Sequence, residues 1–358
     1  MQKRSEIMTN PMVQISDYLN MYRYHHQIPG IVASIIQGDN IIFQQGYGRT
    51  SLEQDGVMMK PDSLFSIQQL SEIFTSLALL HLQETTDFNL DEPIKQHLPY
   101  FHKTSITSRH LLTHMSGFPG DQWLTTLLDE AFVEFTKDMP EYRVMYEQFS
   151  EIEEKIPHIK TREDVSKYFS TIDLENEPGQ VQHYFPDGYV IAADVLEKVS
   201  GETYERYVQK YVLEPLKLTQ TFMNTPKQTD EKMANYYLHT IGEPMPAPTP
   251  NNKIGIPMGF IYSTANDLMK LLSEMMHPTG KILSNRSMKQ LFPTAGEQSW
   301  LGWQRNNQLM EKTGSYPGVS SYVAIQPEQS IGVVLLCNMD QISLKNVAKK
   351  LINLSIRV

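Results

Sequence analysis

The chain has 358 residues, of which 40% are hydrophobic and 20% charged, so it is long enough for one large domain or two intertwined ones. Its net charge of −10 at pH 7 argues against nucleic acid or an anionic membrane as the main partner, because both require clustered Lys and Arg. The single cysteine, Cys337, excludes an internal disulfide and lies in an apolar run, which favours a buried core residue over a reactive thiol.

The first residues of the chain lack the pattern of a signal peptide, because no apolar segment follows the charged residues 1–6. No uninterrupted apolar stretch approaches the length of a membrane span. Together with the single cysteine, these features lead us to expect a cytoplasmic protein.

The predicted elements begin with an amphipathic helix over about residues 12–28, which a Pro-Gly pair ends. Two strands follow at residues 31–37 and 41–46, and the Gly-Asp-Asn turn between them is typical of a β-hairpin. The segment 70–82 is apolar nearly all round, which predicts a helix buried in the middle of a domain.

A mainly helical stretch continues to about residue 240. Within it, residues 121–154 carry ten Asp or Glu against two Lys or Arg, a run that favours a solvated helix face, with a lid over a cleft as the alternative. The run 243–250 contains four prolines and is predicted to be a loop.

The last hundred residues combine two helices with three short strands. One helix is predicted to begin near Thr264, where the N-cap chemistry is good, and another near Leu344. The strands are predicted at residues 309–313, 321–326 and 331–338. Because strands lie near both ends of the chain, we expect an α/β (α+β) fold with one sheet made from the two termini. The predicted units are a sheet domain of residues 1–65 and 255–358 and a mainly helical domain of residues 66–254, with a cleft between them.

Six groups of residues, read in order, resemble the class C β-lactamase, DD-peptidase and esterase family from about residue 29 to the C-terminus. The groups are residues 63–67, 107–117, the residues around Tyr184 between 178 and 201, and residues 213–216, 262–267 and 312–314. One such string would be weak support, but six in the family's order make the resemblance specific. It implies a β-lactamase/transpeptidase-like fold, with an antiparallel sheet flanked by helices and an inserted helical region.

The spacing of His110 and His114 could place two metal ligands on one helix face. No HExxH motif accompanies them, and the string around them resembles a structural signature of the family. Two structural histidines are therefore the better interpretation, and we predict neither a metal nor a cofactor.

In the family that the chain resembles, a serine at the start of the buried helix attacks a carbonyl, and a lysine one turn later moves the proton together with a tyrosine. Aligned through Phe65 and Ile67, the serine position holds Gln69 and the lysine position holds Glu72. No serine in the chain is followed three residues later by lysine, so the motif is absent and not displaced. A glutamine amide is a very poor nucleophile, so we expect no acyl-enzyme and no hydrolysis of β-lactams. Ser71 would point away from a cleft that Gln69 faces.

Glu72 places a carboxylate where the family has an ammonium group. If this carboxylate is buried, we expect its pKa to be raised and its charge to be balanced by Lys312. Tyr184 aligns with the family's catalytic tyrosine, although Pro186 replaces the asparagine that contacts substrate there. The predicted catalytic residues are Glu72, Tyr184 and Lys312, which stand at positions that the resemblance aligns with the family's active site.

The string at residues 312–314 resembles the family's strand-edge motif, which holds a substrate carboxylate. By the same resemblance, the backbone N–H groups of Gln69 and Ser315 would form an oxyanion hole, which survives any change of side chain. Ser315 and Tyr316 stand where relatives commonly have small residues, so we expect a reshaped pocket floor. The predicted substrate-binding residues are Gln69, Thr313, Gly314, Ser315 and Tyr316.

Two functions of different classes remain open. The first is a repurposed enzyme that acts on a small carbonyl or carboxylate substrate without a serine acyl-enzyme, using Glu72, Tyr184 and Lys312 for proton transfer. Polar residues at both altered positions favour it, because simple decay would as readily leave Ala or Gly. The alternative is an inactive pseudoenzyme that binds a small carboxylate or amide, and an active serine hydrolase is the third possibility. In each case the expected partner is a small molecule, and the oligomeric state stays open.

Overall fold

The computed structural model describes residues 10–103, 105–120, 124–143, 145–146, 154–227, 230–292 and 299–356. Its strands are β1 (Gly30–Gln37), β2 (Asn40–Gly48), β3 (Phe65–Ser66), β4 (Tyr236–Leu238), β5 (Met245–Ala247), β6 (Tyr262–Ser263), β7 (Ser299–Trp300), β8 (Trp303–Asn306), β9 (Leu309–Tyr316), β10 (Val319–Gln326) and β11 (Ile331–Cys337). Seven of them form an antiparallel sheet in the order β2-β1-β11-β10-β9-β8-β7. The other four form two small sheets, β3 with β6 and β4 with β5.

Helices pack against both faces of the large sheet. Most of them lie in the part of the chain between β2, the last of its N-terminal strands, and β7, the first of its C-terminal strands. The helices are α1 (Pro11–His25), α2 (Ser71–Thr85), α3 (Ser108–Leu112), α4 (Glu130–Thr136), α5 (Arg162–Thr171), α6 (Asp187–Ser200), α7 (Tyr204–Val208), α8 (Glu214–Leu216), α9 (Ala265–Met276), α10 (Asn285–Lys289) and α11 (Leu344–Ser355). None of the helices in the described ranges has both the length and the apolarity that crossing a bilayer requires.

The large sheet joins the two ends of the chain, as the sequence predicts. β1 pairs with β2 on one side and with β11 on the other, where Ile31 lies opposite Cys337. Because side chains alternate along a strand, Ile31 and Ile35 pack with α1 and α11, while Val32 and Ile36 join the core on the opposite face. Cys337 is fully buried, as expected. The exact boundaries of the two predicted domains stay a prediction.

Helix α2 is the central element of the larger core. Every residue from Ser71 to Leu80 is buried, which confirms the helix predicted from the all-round apolar segment. A 3₁₀ turn, Gln68–Leu70, precedes it, and Gln68 has a positive φ of 49° where the chain turns from β3 into the helix. Ser321 on β10 donates a hydrogen bond of 2.8 Å to the Ile67 carbonyl, so the start of this helix is fixed against the sheet.

Two sequence-based predictions differ from the structure, and two short strands were not predicted. Residues 245–247 of the proline-rich run form β5 and not a loop, because Pro246 lies in a two-stranded ribbon, where a missing N–H is tolerated. Helix α1 ends at His25, three residues earlier than predicted. The short strands β7 and β8 were not predicted, since two- and four-residue strands carry too little periodicity to recognise.

The shortness of β8 creates the edge on which the candidate site lies. Of the two halves of β9, only the first pairs with β8, from Asn306 opposite Leu309 to Gln304 opposite Glu311. Within the described residues, positions 312–316 of β9 have no strand on that side, and the 3₁₀ turn before α2 packs there instead. A half-open strand edge therefore faces the start of the central helix.

Substitution of Gly314 by Ala should test how closely these two elements approach. A Cβ at this position would meet Ser321 Oγ and lie 2.6 Å from the Ile67 carbonyl oxygen, so β9 would have to move. We expect Gly314→Ala to lower the free energy of unfolding by about 1–3 kcal/mol in urea denaturation. Gly242→Ala is the matched control, because nothing lies within 4 Å of its Cβ. Equal losses in the two variants would contradict the close approach.

Candidate functional site

The predicted catalytic side chains converge at the open half of β9. Glu72 lies in the first turn of α2, Lys312 lies on β9, and Tyr184 lies in the segment before α6. The structure brings these three together although 112 and 240 positions separate Glu72 from the other two. Their roles stay predictions, but their proximity is a property of the fold.

Glu72 is fully buried, and the Nζ of Lys312, itself 5% exposed, donates to its Oε2. The predicted balancing of charge between these two residues is therefore present. The expected raised pKa is wrong. Burial does oppose the charged form, but the ammonium group of Lys312 and the nearby His114 outweigh it, so the pKa of Glu72 lies below its ordinary value.

Tyr184 adds a hydrogen bond to this ion pair. Its hydroxyl donates to Oε1 of Glu72 over 3.4 Å, while 42% of the residue is exposed. Desolvation of the hydroxyl and the negative charge of Glu72 raise the pKa of Tyr184 well above its ordinary value. The residue is therefore a neutral phenol that shares a hydrogen bond with a charged carboxylate.

His114 also belongs to this cluster, although the sequence predicts only a structural role for it. Its Nε2 lies 3.6 Å from Oε2 of Glu72, and its ring centre lies 4.8 Å from that of Tyr184. On the other side of the ring, Nδ1 lies 3.2 Å from the backbone nitrogen of Phe185 and 3.3 Å from the carbonyl oxygen of the same residue. No spacing in the sequence distinguishes this histidine from a core histidine.

His110 has the structural role that the sequence predicts. Its Nδ1 accepts from the backbone N–H of Thr107 at 3.3 Å, and the Thr107 side chain caps α3 in return. Within the described ranges, no three His, Cys, Asp or Glu side chains come together as a metal site would require.

Gln69, in the 3₁₀ turn before α2, contacts the strand edge directly. Its Oε1 accepts a 2.7 Å hydrogen bond from the backbone N–H of Ser315, one of the two predicted oxyanion donors. Gln69 is half-buried, Ser315 and Thr313 are exposed, and Gly314 is buried where β9 approaches Ile67. The function of the Gln69 N–H as the second donor stays a prediction. This contact between a side chain and the strand edge was not predicted.

Ser71 does not face the cleft. Its Oγ is fully buried and accepts from the backbone N–H of Ile261 at 3.2 Å, as expected for the opposite side of the helix. It is therefore occupied by a structural hydrogen bond.

Tyr316, the last residue of β9, is largely enclosed by its neighbours. It is 9% exposed, its hydroxyl donates to Oδ2 of Asp129 at 2.9 Å, and its ring packs between Phe132 and Phe260. Asp129 also accepts from the backbone N–H groups of Phe132, as the N-cap of α4, and of Asn251. Little of Tyr316 remains for contact with a ligand, which makes it a wall of the site.

Part of the predicted acidic run lies at this wall. Helix α4 buries Phe132 and Thr136 and exposes Glu130 and Glu134, so the acidic residues form a solvated face while the apolar face packs inward. Residues 121–123, 144 and 147–153 of that run lie outside the described residues.

Comparison with known proteins agrees with this architecture. The chain matches the protein family described as Beta-lactamase over residues 8–354. It is 24% identical over 329 residues to protein flp of Staphylococcus aureus (strain N315), covering 87% of this chain and 60% of flp. It is 24% identical over 353 residues to the D-alanyl-D-alanine-carboxypeptidase/endopeptidase AmpH of Escherichia coli (strain K12), covering 90% of this chain and 82% of AmpH. The chain thus spans about 60% of the length of flp.

A solved structure, the octameric penicillin-binding protein homologue from Pyrococcus abyssi, superposes with a TM-score of 0.79 at 23% identity. The match covers 96% of this chain and 77% of that chain. At this identity the likeness shows the fold, which agrees with the fold that the sequence predicts.

Replacement of Lys312 by Met should show how the buried carboxylate depends on its partner. Removing the ammonium group leaves Glu72 as an unpaired buried charge, so we expect the free energy of unfolding to fall by about 3–5 kcal/mol at neutral pH. In the wild type, the lowered pKa of Glu72 supplies stability that is present at neutral pH and is lost as the pH falls below about 4.5. In the variant, burial, which is the largest single effect, is opposed only by His114 and no longer by Lys312, so we expect the pKa of Glu72 to rise and the penalty to shrink on acidification.

Urea denaturation of both proteins at about pH 7.5 and about pH 5 measures this change. Lys232→Met is the control, because it breaks a surface pair with Asp62 and should alter stability little at either pH. A penalty for Lys312→Met that is equal at the two pH values would contradict the proposed electrostatic role.

Proposed function

This chain belongs to the Beta-lactamase family, and from that premise we propose that it is a non-acylating member whose cleft binds a small ligand bearing a carbonyl or amide group. The observation that carries the proposal is the state of Glu72, a fully buried carboxylate engaged by Lys312 and Tyr184 at the position of the family's lysine. A covalent step requires a nucleophile and a base, and the contacts around Glu72 favour neither.

The side chains at the helix start are poor nucleophiles. Gln69 carries an amide, and its oxygen already accepts the N–H of Ser315. Ser71 is committed to the N–H of Ile261 on the far side of the helix. Attack on a carbonyl by either side chain is therefore disfavoured.

Glu72 is also a weak base. General-base catalysis is most efficient when the pKa of the base lies near the working pH, and the pKa of Glu72 is displaced downward by Lys312 and His114. Tyr184 has the opposite displacement, so its phenolate is not populated at neutral pH. The pKa of Glu72 is lowered and the pKa of Tyr184 is raised, so the two values move away from each other. Proton transfer between acid and base is most efficient when both values lie near the working pH.

The open part of the cleft offers hydrogen bonds. Thr313 and Ser315 are exposed and Gln69 is half-buried beside them, while the hydroxyl of Tyr184, whose hydrogen goes to Glu72, keeps its oxygen as an acceptor. These groups supply donors and acceptors at an edge where a β-strand is unpaired, and they suit a polar ligand better than an apolar one.

A repurposed enzyme is the second candidate, and the hydrogen bond from Tyr184 to Glu72 favours it. The Tyr184 hydroxyl could pass its proton to the buried carboxylate while the same oxygen takes a proton from a bound substrate. This function requires turnover that falls when Glu72 is replaced by Gln or Tyr184 by Phe. Unchanged turnover in both variants would exclude this set.

A binding and turnover assay tests the main proposal. The name of AmpH refers to D-alanyl-D-alanine, so the first probe is N-acetyl-D-alanyl-D-alanine amide. Calorimetry measures its binding, and chromatography of the mixture detects its hydrolysis. We expect association without hydrolysis, and an unchanged intact mass after incubation with a reactive penicillin.

The matched pair of variants is Tyr184→Phe in the cleft and Tyr24→Phe on α1, where the side chain is 75% exposed. Loss of one hydrogen bond should weaken binding about fivefold in the first variant and leave it unchanged in the second. A covalent adduct, or hydrolysis that depends on Tyr184, would overturn the non-acylating proposal.

A further inference from the structure

Gln69 makes a contact that has a direct consequence for binding. The backbone N–H of Ser315 points from the unpaired half of β9 into the cleft, and Gln69 Oε1 accepts it at 2.7 Å. Because an N–H can only donate, the carboxamide must present its oxygen to Ser315 and its NH₂ group elsewhere. The strand-edge donor is thus occupied by a group from the same chain with the chemistry of an amide ligand.

We propose that Gln69 is an intramolecular competitor for the Ser315 N–H, and that a ligand binds by displacing its carboxamide with a neutral carbonyl oxygen. The inference rests on the binding function proposed above and names the ligand class and the residue that limits affinity.

Displacement of the carboxamide exchanges one hydrogen bond for another of the same kind. The hydrogen bond that is broken and the one that is formed both join a backbone N–H to an amide-type oxygen, so their energies nearly cancel. Gln69 is half-buried, so its carboxamide can turn toward water without leaving a polar group unsatisfied. Competition from such a bond lowers the affinity of the ligand by about fivefold.

The charges around the site select a neutral ligand over a carboxylate. Lys312 is buried and paired with Glu72, so its charge is compensated within the protein. A ligand carboxylate beside this pair would meet the negative charge of Glu72 without gaining a new cation. An amide or ester carbonyl needs only the Ser315 donor.

Substitutions of Gln69 separate the hydrogen bond from the space that the side chain fills. Gln69→Ala removes both, Gln69→Met keeps the length and removes the acceptor, and Gln304→Ala changes an exposed glutamine on the neighbouring β8 as the control. Exchange of the Ser315 amide hydrogen, followed by NMR on protein labelled with ¹⁵N-serine, should be at least about fivefold faster in both Gln69 variants. Unchanged exchange would overturn the proposed contact.

Calorimetry with N-acetyl-D-alanyl-D-alanine amide and with the corresponding free acid measures the effect on binding. We expect Gln69→Ala to bind the amide about fivefold more tightly than wild type, the acid to bind less tightly than the amide, and Gln304→Ala to match wild type. Equal affinity in wild type and Gln69→Ala would overturn the competition while leaving the binding function in place. Absence of binding in every protein would overturn the binding function and the competition together.

Discussion

A full negative charge on Glu72, without contact with solvent, is the constraint around which the cleft is organised. Such a charge is tolerated in a protein interior only when a partner of opposite sign and further hydrogen bonds satisfy it. Lys312 supplies the first, and Tyr184 and His114 approach the same carboxylate from two other segments. The carboxylate therefore joins α2, β9 and the segment before α6 at one point, and a change at any of these residues is felt by the other elements.

The same arrangement holds the start of α2 against β9. An ammonium at the start of α2 would repel Lys312, whereas a carboxylate attracts it and locks it in place. The pair therefore stabilises the junction between helix and strand.

Much of the fold was predictable, because long periodic segments carry strong signals. The buried helix, the strands at both ends and their common sheet follow from such segments and from the six strings that resemble the family. The pairing of Glu72 with Lys312 also followed from that resemblance. The direction of the Glu72 pKa did not, because it depends on whether burial or the nearby charges dominate, and distances decide that balance. β5 was missed because proline composition alone does not distinguish a loop from an edge ribbon.

Side-chain contacts over a few ångströms were the least predictable. Nothing in the sequence indicates that the flexible side chain of Gln69 reaches across to Ser315 or that His114 turns toward Glu72, since each has several rotamers. The burial of Tyr316 depends on its hydrogen bond to Asp129, which Asn251 also contacts. Asp129 and Asn251 come from segments separated by more than a hundred residues. Contacts of this kind become visible only when the elements are assembled.

The half-paired strand β9 has a consequence for the behaviour of the chain among other proteins. An unpaired strand edge is a template on which another extended chain can add, and proteins guard such edges with covers, charges or irregularities. By holding the Ser315 N–H, Gln69 occupies a donor that an adventitious strand would need, and the 3₁₀ turn before α2 covers the same edge. The side chain of Gln69 thus leaves one donor fewer on which a second chain could pair with this edge.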